Sequence, residues 1–181
     1  MKMNNVCGID SGKEGAFVVI FGSTGNVVSK YVMPLKDGEL DLDGLCELIQ
    51  SIQEMYEPLF VLEQLQPIFG AGKGSQFSMA QTYGCILGSL HCKGVNYTLS
   101  RPKSWQKSVI LPEDRVLKKS KKGDKMVNDP KATSLKCFQR LYPGVELFYG
   151  DNEPKQSGRR TKQNEGMVDA ALIGRSQLNT I

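Results

Sequence analysis

Four carboxylates in this 181-residue chain stand where an acid calls for an explanation. Asp10 closes the apolar run VCGI and is followed at once by a Ser-Gly turn. Glu63 sits in VLEQL, a charge inside an otherwise apolar stretch. Glu165 and Asp169, in NEGMVDAALIG, are four residues apart and so share one helix face, where like charges repel. Simple exposure is the ordinary reason for an acid, but it accounts poorly for Asp10 and Glu63, and Asp169 adjoins an apolar face. A divalent cation accounts for all four. Mg²⁺ takes oxygen ligands and is typically held by a few carboxylates together with water and phosphate. Two such ions can activate an attacking water and stabilise the leaving oxygen of an in-line phosphoryl displacement.

The surrounding pattern predicts the elements that must carry these acids. Residues 6–9, 15–21 and 26–33 read as three strands in an opening meander, with GSTG as the turn between the second and third. Asp41 is placed to cap a helix in which Leu42, Leu45, Leu48, Ile49 and Ile52 follow a helical period to about Met55. Residues 59–65 read as a strand and GAGKGS (70–75) as a flexible loop. A helix over 78–91 follows, with the small residues Ala80, Gly84, Gly88 and Ser89. A short strand over 96–100, a helix opened by Pro102 that includes Trp105, a helix opened by Pro130 and running to Leu141, and a closing helix over 164–178 complete the order. Strand–helix alternation after a meander predicts an α/β fold: a mixed sheet, antiparallel first and then parallel, with helices on both faces. The length predicts a single domain over 1–181. The polar, basic stretches 112–130 and 150–163 are expected as loops, long enough to imply function or disorder.

Composition narrows the field. The chain is 40% hydrophobic and 23% charged, which excludes disordered and fibrous classes. It contains no apolar run of membrane-spanning length, and its first residues, MKMNNVCGID, do not read as a signal peptide. Its five scattered cysteines lack a CxxC pair, and with a single histidine a structural zinc site is not expected. The expected setting is a reducing one, the cytoplasm of a bacterium or of an infected host cell. The net charge of +4 hides a polarity. Residues 101–162 hold 16 Lys/Arg against 7 Asp/Glu, whereas residues 1–100 hold 6 against 10. A basic segment beside an acidic remainder points to a polyanion such as nucleic acid. On charge alone, a solvated loop serves equally well for Lys118, Lys119, Lys121 and Lys122.

The residues resemble a known family. GIDSGKEGAFVVIF is similar to the opening strand-turn-strand of RuvC-type Holliday junction resolvases, in the ribonuclease H-like superfamily. VLEQLQP resembles their fourth-strand glutamate segment, and NEGMVDAALIG their closing helix with its last two acids. RPKSWQK and KATSLKCFQRLYP resemble segments of the phage and organellar members, so the likeness runs in order through nearly the whole chain. It implies a ribonuclease H-like fold and assigns Asp10, Glu63, Glu165 and Asp169 as catalytic metal ligands for two Mg²⁺ ions, with Mn²⁺ able to substitute. The implied reaction is paired phosphodiester hydrolysis in a four-way DNA junction, leaving a 5′-phosphate. The chain departs from many relatives at two positions: they carry Asp where Glu165 stands, and a basic residue or histidine where Asn164 stands.

Further expectations complete this reading. DNA contacts are expected from Lys73, Ser75, Gln76 and Phe77, from Lys103 and Lys107, from Lys118, Lys119, Lys121 and Lys122, and from Arg159 and Arg160. Lys131 either approaches the metal site to offset transition-state charge or contacts a phosphate. Tyr83, Trp105 and His91 are expected to be structural. GAGKGS lacks P-loop spacing, and no nucleotide cofactor is expected. GIDSGKEG also resembles the first phosphate loop of actin-like ATPases, but that fold needs two such domains and this chain is too short. Another ribonuclease H-like nuclease, acting on RNA–DNA hybrid or damaged DNA, would use the same four acids. A non-catalytic DNA-binding module would have no use for four clustered like charges. Two opposed cuts in a two-fold junction predict a homodimer, with Gly84 and Gly88 on one helix face as its interface. The alternative is that these glycines face a strand of their own subunit.

Overall fold

The computed structural model describes residues 5–12, 14–66, 72–120, 123–147 and 164–178. Strands β1 (Val6–Asp10), β2 (Ala16–Ile20) and β3 (Val27–Val32) form the antiparallel meander expected from the sequence. A two-stranded ribbon, β4 (Leu35–Lys36) and β5 (Glu39–Leu40), leads to α1 (Leu42–Tyr56). Strand β6 (Leu59–Glu63), helix α2 (Lys73–Cys92), strand β7 (Tyr97–Ser100) and helix α3 (Pro102–Val109) follow. A 3₁₀ turn (Pro112–Asp114) and the hairpin of β8 (Leu117–Lys119) and β9 (Met126–Asn128) precede α4 (Pro130–Leu141) and α5 (Glu165–Leu178). The main sheet has the order β3-β2-β1-β6-β7, antiparallel from β3 to β1 and parallel from β1 to β7. It is the mixed α/β sheet that the sequence predicts.

Alternation along the strands sorts side chains between two cores. Cys7, Ile9, Phe17, Val19, Phe60 and Leu62 face one side and pack with Leu45, Ile49 and Ile52 of α1 and Ile86 and Leu90 of α2. Val6, Ala16, Val18, Ile20 and Val61 face the other, against Trp105 and Val109 of α3, Phe138 of α4 and the apolar length of α5. Because β2 is covered on both sides, GAFVVIF is continuously apolar rather than alternating. Asp41 caps α1 as expected, its Oδ1 accepting from the Gly44 N–H at 3.1 Å. Leu42, however, which fits the helical period, is largely exposed in the first turn.

Two stretches expected as loops are ordered elements. Lys73, Gly74 and Ser75 belong to α2, which starts at Lys73 rather than at 78. Gly72 and Gly74 suggest a loop by propensity, and this first turn is wholly exposed, so no apolar periodicity marks it. Residues 112–130 carry the 3₁₀ turn and the β8–β9 hairpin. Long-range polar contacts define them: Arg140 holds the buried Asp114 carboxylate (Nη2 to Oδ2, 2.7 Å), and the Val116 N–H donates to Thr133 Oγ1 at 3.0 Å. Residues 150–163, with Arg159 and Arg160, lie outside the described residues, as do Lys121 and Lys122. Among the described residues no helix is long and apolar enough to cross a membrane, and all five cysteines are unpaired.

Candidate active site

Strand register builds the site. β1 and β6 are parallel neighbours with Ile9 opposite Leu62, so the next residues, Asp10 and Glu63, end adjacent strands side by side. Both lie two residues beyond a position on the α5 face, Gly8 and Val61, and therefore point to that face. Helix α5 reaches them because the backbones touch. A Cβ on Gly8 would overlap the Ala170 carbonyl and stand 2.5 Å from the Gly174 nitrogen. A Cβ on Gly166 would overlap the Glu14 carbonyl in the β1–β2 turn. These contacts bring Asp169 down onto the strand ends. Gly166, Ala170 and Gly174 recur every four residues, a small-residue stripe legible in the sequence but not identified there as the packing seam.

Asn164 caps α5. It is buried, its Oδ1 accepts from the Met167 N–H at 3.0 Å, and its own N–H donates to the Leu147 carbonyl at 2.7 Å. The cap sets where α5 begins, and hence the positions of Glu165 and Asp169.

The acids perturb one another. Burial raises the Asp10 carboxyl above its ordinary range, opposed by the Gly12 N–H, which donates to Oδ1 at 3.1 Å. Burial also raises Glu63; the Trp105 bond opposes the shift and the charge of Asp10 adds to it. Asp169 is pushed up to about 7, first by burial and then by the charge of Asp10, with Glu63 and Glu165 contributing and a Ser134 hydrogen bond opposing. The charge of Asp10 thus reaches both Glu63 and Asp169, and Asp169 also lies in the field of Glu63 and Glu165. Lys131, at the start of α4, pairs with Glu165 Oε2, and this bond raises the lysine, keeping it charged beside the cluster. Sequence reasoning assigned Trp105 to packing alone. It is 3% exposed, as expected of a core residue, yet its Nε1–H donates to Glu63 Oε1 at 2.7 Å. The signal available was a buried indole, whose N–H requires an acceptor. Ser134 had no signal of its own.

These residues suit a divalent cation by the chemistry of their donors. All four offer carboxylate oxygens, and the buried Asp169 Oδ1 has no hydrogen-bond partner among the described residues. As the side chains stand, no three His, Cys, Asp or Glu among the described residues gather tightly enough to hold one ion.

The expected DNA-contacting residues are placed on several elements. Lys73, Ser75, Gln76 and Phe77 line the exposed start of α2, and Phe77 is 71% exposed, so it is not a core residue. Lys103 and Lys107, four apart on α3, are exposed while Trp105 between them is buried. Lys118 and Lys119 on β8 are exposed and pair with Asp129 at 3.2 Å and Asp124 at 3.5 Å. Tyr83 is half-buried against the α1–α2 core, while His91 is exposed at the end of α2. Among the described residues nothing lies within 4 Å of the Cβ positions of Gly84 and Gly88. No described strand of their own subunit faces these glycines, which goes against the alternative weighed from the sequence.

No protein-family profile matches the chain, and no curated protein sequence does. Solved structures do match. Thermus thermophilus RuvC in complex with a Holliday junction substrate superposes with a TM-score of 0.60, covering 97% of this chain and 93% of that one at 13% identity. A second T. thermophilus RuvC structure gives a TM-score of 0.60 at 12% identity over the same shares. The chain therefore shares the fold of these RuvC structures. The finer likeness to phage and organellar members rests on sequence motifs alone.

Proposed function

We propose that this protein is a metal-dependent, structure-selective endonuclease that resolves four-way DNA junctions by paired phosphodiester hydrolysis. The observation that carries the proposal is the convergence of Asp10 and Glu63, at the ends of adjacent parallel strands, with Asp169 of α5, each raised by burial, and with the charge of Asp10 acting on both of the others. Asp10, Glu63, Glu165 and Asp169 would hold the ions. Two Mg²⁺, or Mn²⁺ in their place, would supply water activation and leaving-group stabilisation for an in-line displacement. The chain's own residues do the rest: the Gly12 N–H orients Asp10, Trp105 orients Glu63, and Lys131 brings a positive charge to the rim of the acids. The exposed lysines of α2, α3 and β8 supply the attraction that a phosphate backbone requires. The RuvC structure solved with a Holliday junction supports branched DNA as the substrate.

The active form in this proposal is a homodimer, because one site cannot reach two opposed strands. The open face of α2 at Gly84 and Gly88 supports a close helix–helix contact there. Light scattering should show twice 20.0 kDa; a persistent monomer that binds junctions singly defeats the dimer. The function is tested by incubating the protein with Mg²⁺ and a four-way junction, a linear duplex or an RNA–DNA hybrid of matched sequence. Paired cutting of the junction alone is expected. Cutting of the hybrid instead, or of nothing, overturns the proposal.

A further inference from the structure

We infer that Trp105 is the positioning residue for Glu63, its indole N–H holding one carboxylate oxygen so that the other is presented to a divalent cation. This rests on the reading of Glu63 as a metal ligand. Trp105 comes from α3, and its ring is fixed in the core shared by β6, α4 and α5. The 2.7 Å bond to Glu63 Oε1 spans 42 residues, so the tertiary fold and not local geometry makes it. A glutamate at a strand end has three side-chain torsions. A carboxylate free to sample them loses entropy on binding an ion, whereas one tethered by a rigid donor has already lost it. An indole suits the task because it donates without charge. A lysine or arginine in its place would compete with the cation for the same carboxylate.

The inference concerns metal binding and can be tested without turnover. Trp105 is the only tryptophan in the chain, so the ¹⁵N-labelled protein gives a single indole N–H signal. Titration with Mg²⁺ should shift that signal along a saturable curve while its protection from solvent exchange persists. A signal that does not move, or that loses protection as the ion binds, overturns the inference. Calorimetry with Mn²⁺ adds a second arm. Trp105→Phe, which keeps a packed ring and removes the donor, should weaken binding about tenfold. Glu63→Gln should weaken it at least as much, and the double variant should bind no more weakly than Glu63→Gln alone. Losses that add mean that Trp105 acts elsewhere, and the inference fails. If Trp105→Phe does not fold, the wild-type signal decides. A wild-type protein that binds no Mn²⁺ overturns the ligand reading of Glu63 itself. Normal Mn²⁺ binding by Trp105→Phe overturns only the positioning role.

Discussion

Gly8 of β1 and Gly174 of α5 meet backbone to backbone, a Cβ on Gly174 standing 3.1 Å from the Gly8 nitrogen. This contact determines how closely α5 approaches the sheet, and so whether Asp169 reaches Asp10 and Glu63. The two glycines differ in tolerance. A methyl on Gly174 meets one nitrogen and the movable Ile20 side chain, whereas a methyl on Gly8 runs into the Ala170 carbonyl.

Gly8→Ala should therefore destabilise the protein by about 3 kcal/mol or prevent folding, since overpacking against backbone finds little relief. Gly174→Ala should cost clearly less. Urea unfolding of both variants checks the order, and equal midpoints would show that the seam is looser than described.

Asp169→Asn should stabilise the metal-free protein at neutral pH. Folding raises this carboxyl from 3.8 to about 7, so its native-state stability is fully present below pH 3.8 and is lost as pH rises through about 7. The amide removes that loss. Melting in chelator should show the variant gaining on wild type from about pH 4 to about pH 7 and levelling off above; a gap independent of pH would place the cause outside this titration.

Asp10→Asn should abolish cleavage and leave junction binding intact. A neutral amide is a poor ligand for a hard cation, while removing negative charge cannot weaken attraction to phosphate. Binding followed by gel shift in Ca²⁺, and cleavage followed in Mg²⁺, separate the two effects. Cutting near the parental rate would remove Asp10 from the site.

Replacing Lys118, Lys119, Lys121 and Lys122 together by Ala should weaken DNA binding and flatten its dependence on salt, because fewer counterions are released. The existing partners of Lys118 and Lys119, Asp129 and Asp124, must yield them to phosphate, so the change in slope should fall short of four charges. An unchanged slope would make the hairpin's lysines a solvated surface.

Local patterns in the chain establish the order and type of most elements, and which acids are anomalous. Apolar period marks α1 and β2, Asp41 and Pro130 mark helix starts, and a charge closing an apolar run marks Asp10. All are local signals, carried by a few consecutive residues. The start of α2 escaped because its residues are exposed, and the β8–β9 hairpin because it is tied to a distant partner, Thr133, which bonds Val116 and Asn128.

Tertiary structure alone decided how the site is assembled. Register, not composition, sets Asp10 beside Glu63, because a parallel pairing shifted by one residue would turn one of them to the opposite face. The seam at Gly8 and Gly166 joins turns and strands more than 150 residues from α5, a contact whose closeness no single segment encodes. Trp105 reads as core in any window of the sequence, and only the packing of α3 aims its N–H at Glu63. Local propensity chooses an element, but side-chain direction and backbone approach depend on what it is packed against. The acids were therefore legible in the sequence, and the strand register and helix seam that set their carriers side by side only in the fold.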